Sequence, residues 1–410
     1  MMQPCWRNLL HKACGQHVHG PPYALQQDES DAASVGAAER RRPWPIGGVG
    51  APLGGNGYIE NVGGAALRPG EWALEGTVVL YAPRSAAEST ANLSAVMPVL
   101  ESLVEIRGAS GVSFVNITFE HATWLRPGQG DGYVEQQSGI GAVGTNPENS
   151  DCNNDFYWSV KTPGNVRLHS SSSIRFAGCE FRYLGGVGLD LTNSSGCLVD
   201  GCLFHEISSA AINVGSYQYP TAATSSANNS VIDTIIMRAA NEYSGAAGLQ
   251  AGYTQGLVLA HNDISNLTYT GISVGWGWSR HACASCTDAG WNEIAYNRVH
   301  GYKQTLNDGG GIYMLGPQNG SRIHHNWLHN QFTASSGALY PDEGSSYSVW
   351  DHNAISDIRG SKWLHLWTGS ASVAWLQTLR VMLPAPTYAG TLVLHACPRP
   401  LRHVTPHHAP

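Results

Sequence analysis

Short apolar stretches recur along most of the chain, each bounded by polar and turn-forming residues. None sustains the roughly 10 to 12 residues at helical period that a crossover helix requires. The fragments HNDIS at 261, YNRVH at 296, HNWLH at 325 and HNAIS at 352 share one plan. Each has a polar residue, Asn, a variable residue, an aliphatic one, then a small residue or His. The asparagines are Asn262, Asn297, Asn326 and Asn353, at steps of 35, 29 and 27. Upstream, DTIIM at 233, GCLFH at 201 and GCEFR at 178 fill the same slot with Thr234, Cys202 and Cys179, and NITFE at 116 is an earlier member. A second signal follows the slot: GLDL from Gly188, AINV from Ala211, GISV from Gly271, GIYM from Gly311 and ALYP from Ala338. Each unit thus holds at least two short strands separated by turns.

Strands without helices, at this period, predict an all-β chain: a single-stranded right-handed parallel β-helix in which equivalent positions stack about 4.8 Å apart. The Asn, Thr and Cys slot is then structural, an inward ladder of hydrogen bonds along the axis. The pattern divides the chain into a disordered leader over 1–56, a β-rich N-terminal cap over 57–102, the β-helix over 103–372 and an atypical tail over 373–410. Long insertions interrupt two coils. One lies between NITFE and GCEFR and the other spans 272 to 292. Insertions on a solenoid gather on one face and commonly build a cleft.

Composition narrows the function classes. Charged residues are 13% of the chain, roughly half the usual share, and glycine supplies 48 of 410 residues. The formal net charge of −7 gives no basic footprint, which argues against a nucleic-acid partner. No run of 18 apolar residues occurs, so no membrane-spanning helix is expected. A monomer is expected. The first 20 residues lack the continuous apolar core of a secretory signal, while six Asn-x-Ser/Thr triplets, at Asn92, Asn116, Asn193, Asn228, Asn266 and Asn319, point weakly outside the cell. Cys283 and Cys286 form the single close pair among nine cysteines; a loop disulfide or two thiols fits them better than a metal, and neither metal nor cofactor is expected.

Against so few charges, the acids in LNDGGGIYMLG and GALYPDEGSS stand out. Aligning the two strands puts Gly311 over Ala338 and Tyr313 over Tyr340, so Asp308 and Asp342 fall at the irregular mouth of adjacent coils. As single Asp-Gly turns they would be ordinary. Their recurrence, the doubling of Asp342 with Glu343, and the surrounding Tyr253, Trp276, Trp278, Tyr313 and Tyr340 favour a sugar site. Exposed aromatic faces would carry sugar rings and the carboxylates would act on a glycosidic bond. An extended run from 308 to 315 would separate the acids by roughly 23 Å. The pairing therefore requires a sharp turn at Gly309, Gly310 and Gly311; otherwise Asp342 pairs with Glu343 or with Glu242. The Gly344, Ser345 and Ser346 amides and hydroxyls are expected to keep Asp342 ionised as nucleophile or base. Asp308, in an apolar and glycine-rich setting, is expected to have a raised pKa and act as the acid.

Taken in order, YIENV, PGEW, LYAP, ITFEHATW, YTGISVGWGW, LNDGGGIYMLG, GALYPDEGSS and KWLHLWTGS resemble the right-handed β-helix proteins near glycoside hydrolase family 141, within the pectin-lyase-like superfamily. The resemblance covers about residues 58 to 372 and ends there. It implies a glycoside hydrolase acting on plant or algal cell-wall polysaccharide, with fucoside or xylan-like substrates. By motif it implies catalytic aspartates at Asp308 and Asp342. Two alternatives stay open. A polysaccharide lyase would draw on Lys303, Arg280 and Arg322; a non-catalytic carbohydrate-binding protein would use the aromatics alone.

Overall fold

The computed structural model describes residues 67–366 apart from 76, 90–91, 129–133, 143–158, 218–219, 278–286 and 361. It also describes the backbone of four short strands, Leu25–Gln26, Tyr58–Ile59, Trp375–Val381 and Val393–Leu394. Trp278, Arg280, Cys283 and Cys286 lie outside the described residues, as do most of the leader and tail.

The chain is a right-handed parallel β-helix. One flank is an eight-stranded parallel sheet that runs from Val104–Arg107 through Gly164–His169 and Val187–Thr192 to Ile272–Val274, Ile312–Met314 and Leu339–Pro341. The remainder of each coil lies in a larger sheet and supplies two strands joined at a corner, such as Arg175–Ala177 with Glu180–Leu184. An antiparallel pair, Trp72–Glu75 with Val78–Tyr81, precedes the first coil. Beyond Val349–Ile358, the strand Trp375–Val381 continues the large sheet in parallel.

The corner explains the repeated slot. The residue before it takes a left-handed backbone, φ 60° at Gly178 and Gly201, 51° at Asp233, 58° at His261 and 54° at His325. That bend turns the next side chain inward, where its polar atoms meet backbone groups of the neighbouring coil. Thr234 N–H donates to Asn262 Oδ1 at 3.1 Å, Asn262 N–H to Asn297 Oδ1 at 3.0 Å, Asn297 N–H to Asn326 Oδ1 at 3.0 Å and Asn326 N–H to Asn353 Oδ1 at 3.1 Å. Cys202 N–H donates to Thr234 Oγ1 at 3.3 Å, and Cys179 and Cys202 are buried free thiols in the same line. The ladder expected from the spacing is therefore continuous from Cys202 to Asn353. A second ladder, which the slot did not reveal, satisfies Cys197 N–H at Asn229 Oδ1 and Leu257 N–H at Asn292 Oδ1.

Between the ladders, alternating strand positions fill the coil with apolar side chains. Phe119, Phe181 and Phe204 stack with centroids 4.8 and 4.3 Å apart. A fully buried side chain of this size stabilises the fold by about 2–3 kcal/mol, so the core is dominated by such repeated stacks. On the eight-stranded sheet the middle residue of each short strand points away from this core. Ser273, Tyr313 and Tyr340 form one such outward row. That row is not left to solvent. The first long insertion folds as an antiparallel sheet, Val134–Gln137, Ile140–Ala142 and Ser159–Lys161. It is fastened to the solenoid by Ser138 N–H donating to Gly245 C=O at 2.8 Å.

Candidate active site

Asp308 precedes the strand Ile312–Met314, and Asp342 follows Leu339–Pro341 on the next coil. The two carboxylates are held crosswise. Tyr313, on the coil of Asp308, donates its hydroxyl to Asp342 Oδ2 at 2.5 Å. Tyr340, on the coil of Asp342, donates to Asp308 Oδ1 at 3.2 Å. The two tyrosine rings meet edge to face with centroids 5.0 Å apart. A third phenol completes the cluster: Tyr269 donates to the Asp308 carbonyl at 2.7 Å. Gln137, from the insertion, donates to the Tyr269 oxygen at 2.9 Å and to the Tyr313 oxygen at 3.4 Å.

The approach of the two acids does not come from glycine φ freedom. Asp308 itself takes the left-handed conformation, φ 60°, which its short polar side chain tolerates. The glycines are needed for space. A Cβ on Gly309 would lie 2.3 Å from Thr270 Oγ1 and 2.5 Å from the Tyr269 ring. One on Gly311 would lie 2.3 Å from Leu328 Cδ2.

Burial is the largest influence on both carboxyls, and it raises both pKa values. Asp342 is pushed up to about 6 by desolvation and by the charge of Asp308, against the lowering effect of the Tyr313 hydrogen bond. Asp308 is exposed along one side, yet crowding of its carboxyl raises it too; the Tyr340 hydrogen bond and the charge of Lys303 oppose that rise. The rise at Asp308 follows the sequence reading. The low pKa expected for Asp342 does not occur, because the serines are committed elsewhere. Ser345 Oγ donates to the Met314 carbonyl at 2.8 Å and Ser346 Oγ to the Gly344 carbonyl at 3.0 Å.

The aromatics differ from the exposed platforms expected of them. Tyr253, Trp276, Tyr313 and Tyr340 are 1–3% exposed and belong to one buried cluster that includes Ile140 of the insertion and Tyr217. Trp276 packs edge-on to Tyr217 with centroids 5.6 Å apart. Outward strand positions would ordinarily face water; here the insertion and neighbouring turns cover them. Tyr313 and Tyr340 reach the acids through their hydroxyls, while Tyr253 and Trp276 lie within the buried cluster. Glu343 adjoins Asp342, and its carbonyl accepts from Gly316 N–H at 3.2 Å. Glu242 is exposed on a different turn, where its N–H donates to the Ser208 carbonyl at 3.1 Å.

Of the bases considered for a lyase, Arg322 forms a two-pronged ion pair with Asp351 on the large sheet, at 2.9 and 2.6 Å. Lys303 is 0% exposed. The tyrosines are poor bases as well, since burial and the neighbouring carboxylates drive the pKa values of Tyr269, Tyr313 and Tyr340 upward. They act as donors. Among the described residues no group of three or more His, Cys, Asp or Glu side chains could hold a metal ion. A pocket of about 200 Å³ lined by Arg107, Lys161, Arg167 and Asp190 lies toward the opposite end of the eight-stranded sheet and takes no part in this cluster.

Tyr269, Gln137 and His365 were not singled out from sequence. Tyr269 lies in the quoted YTGIS segment and Gln137 in the insertion, but their convergence depends on contacts over 132 and 176 residues. His365 stacks on Tyr340 with centroids 4.2 Å apart.

The family model described as right handed beta helix region matches residues 102–355, and the chain belongs to that family. A solved structure described as a glycoside hydrolase is 25% identical, with a TM-score of 0.64, covering 79% of this chain and 60% of that one. The chain therefore spans 60% of that relative's length. Two more distant structures are the A-module of mannuronan C-5 epimerase AlgE6 from Azotobacter vinelandii and PfbA, a surface adhesin of Streptococcus pneumoniae. The first is 12% identical with a TM-score of 0.34, covering 70% of this chain and 78% of that one. The second is 12% identical with a TM-score of 0.31, covering 70% and 65%. No curated protein matches the chain.

Proposed function

We propose that this protein is a carbohydrate-active β-helix protein that hydrolyses a glycosidic bond with Asp342 as the acid and Asp308 as the base or nucleophile. The carrying observation is the crossed pair of carboxylates, each held by a tyrosine of the other's coil. Hydrolysis of a glycoside needs one carboxyl that keeps its proton and one that does not. Burial and the charge of Asp308 favour a protonated Asp342, while Tyr340 and Lys303 oppose the rise that burial gives Asp308. Asp342 would give its proton to the leaving oxygen as the C–O bond breaks. Asp308 would either take a proton from the attacking water or attack the anomeric carbon itself. Likeness to a glycoside hydrolase structure supports this reaction class. The resemblance of the mouth motifs supports plant or algal cell-wall polysaccharide, fucoside or xylan-like, as the substrate.

The test is release of reducing sugar from defined plant oligosaccharides by the parent protein and by Asp308→Asn and Asp342→Asn. Hydrolysis by the parent that both substitutions reduce at least about 100-fold is the expected outcome. Hydrolysis that persists in both returns the acids to ordinary turn residues.

A further inference from the structure

Lys303 is 0% exposed, an uncommon place for an ammonium group. Removing such a charge from water costs several kcal/mol unless neighbours compensate it, so a retained buried lysine invites a functional explanation. Its Nζ donates to Ser336 Oγ at 2.6 Å and approaches the Ser336 carbonyl at 3.4 Å. Its backbone is fixed as well, with φ 54° and its N–H on the Tyr269 carbonyl at 2.7 Å.

The contacts of Lys303 lead to Asp308. The Ser336 hydroxyl in turn donates a hydrogen bond to the Gly309 carbonyl, one residue beyond Asp308. The adjacent Ser335 Oγ accepts from Asp308 N–H at 3.2 Å and donates to Asn307 Oδ1 at 3.0 Å. One short segment thus touches both the ammonium and the turn that presents the carboxylate. Across that turn the two groups act on each other, each favouring the other's charged form. The ammonium also helps hold down the pKa of His365, after burial and Lys362, and that imidazole stacks on Tyr340, the donor to Asp308.

We propose that Lys303 is a positioning residue for the carboxylate pair: its buried ammonium keeps Asp308 charged, and the charge on Asp308 leaves the proton on Asp342. The assignment rests on the hydrolase reading of the site. Lys303 touches neither reacting atom; it decides which of two competing carboxyls carries the proton. Among the described residues, the titratable groups facing this arrangement are Lys303, Asp308, Asp342, Glu343, Tyr269, Tyr313, Tyr340, Lys362 and His365, and Lys303 is the buried lysine among them.

The test is a ¹³C NMR titration of the Asp carboxyls, with the two resonances assigned through Asp308→Asn and Asp342→Asn. In Lys303→Met, nearly the same shape without the charge, the Asp308 midpoint should rise by about one pH unit or more. The Asp342 midpoint should fall, because its neighbour is less often charged. Unchanged midpoints in a folded Lys303→Met protein, with only stability reduced, overturn the assignment. If that variant does not fold, the parent protein answers instead. Burial lowers Lys303 to about 8, so the Asp308 resonance should show a second inflection near that pH. A resonance with one inflection overturns the assignment. The two readings fail separately: carboxyl responses without hydrolysis of any glycoside remove the hydrolase reading, whereas hydrolysis with an unmoved Asp308 removes the role of Lys303.

Discussion

The Tyr313 hydroxyl lies 2.5 Å from Asp342 Oδ2, so a side chain of one coil holds the carboxylate of the next. Stacking in register makes this possible, since Tyr313 and Tyr340 are direct partners in adjacent parallel strands. A solenoid places such pairs about 4.8 Å apart along its axis, and outward positions of neighbouring coils can then share one site.

The Tyr313 bond lowers the pKa of Asp342, and the Tyr340 bond lowers that of Asp308. Tyr313→Phe should therefore move the alkaline limb of a pH–rate profile upward, because Asp342 then keeps its proton longer. Tyr340→Phe should move the acid limb upward, because Asp308 ionises later. The loss of a hydrogen bond to a charged group corresponds to about 1.5–3 kcal/mol, or roughly one to two pH units. A full pH–rate profile of each variant checks this; a fall in rate with no shift in either limb would contradict it.

Asp342 should also limit stability. Its folded pKa of about 6 lies above the ordinary aspartate value of 3.8. Between those values the folded chain binds the extra proton, so stability falls as pH rises through that window and stays reduced above it. Asp342→Asn should then be more stable than the parent at pH 7 by an amount on the order of 2 kcal/mol. The difference should vanish as the pH falls below about 4. Denaturant melts at several pH values measure it, and a less stable variant at pH 7 would sink the idea.

The ladder predicts a different kind of loss. Asn297 Oδ1 accepts from Asn262 N–H and Asn262 Nδ2, and its own Nδ2 donates to the Leu259 carbonyl at 2.8 Å. Asn297→Leu would leave the buried Asn262 N–H without its acceptor and take a partner from the other two groups, although Asn262 Nδ2 keeps the Val231 carbonyl at 2.9 Å. At about 1–3 kcal/mol for a buried group left unpaired, with the weakened bonds added, a loss of about 2–4 kcal/mol is expected. An urea melt within 1 kcal/mol of the parent would show that the ladder contributes little, given typical uncertainties of about that size.

Gly309 tests the packing beneath the acids. Its Cβ would strike Thr270 and the Tyr269 ring, so Gly309→Ala should displace Tyr269 from the Asp308 carbonyl. Hydrolysis should drop at least about tenfold while the far coils stay folded. Circular dichroism alongside activity separates the two effects; unchanged activity would mean that the turn has slack.

What could be read from the sequence follows the repeat. The Asn slot and the Gly-apolar strands recur, and each recurrence states the same inward geometry, so the fold and the alignment of Tyr313 with Tyr340 were legible. The burial of Tyr253, Trp276, Tyr313 and Tyr340 was not. A residue's outward position follows from local alternation, but its cover is an insertion some 100 to 200 residues earlier, such as Gln137 over Tyr269 and Tyr313. The role of the glycines was misread for a related reason: alternation says nothing about a ring pressed against Gly309. The surroundings of Asp342 were not legible either, because the hydroxyls near it in sequence bond to backbone carbonyls instead.

The central claim is that Asp342 gives the proton and Asp308 does not. The most direct measurement compares Asp308→Asn and Asp342→Asn on two glycosides of one sugar. One glycoside carries an activated aryl leaving group that needs little protonation and the other an ordinary sugar alcohol. Asp342→Asn should keep most of its rate on the aryl glycoside and lose at least about 100-fold on the other, while Asp308→Asn should lose as much on both. The reverse pattern, with Asp308→Asn sparing the aryl glycoside and Asp342→Asn losing both, would contradict the assignment.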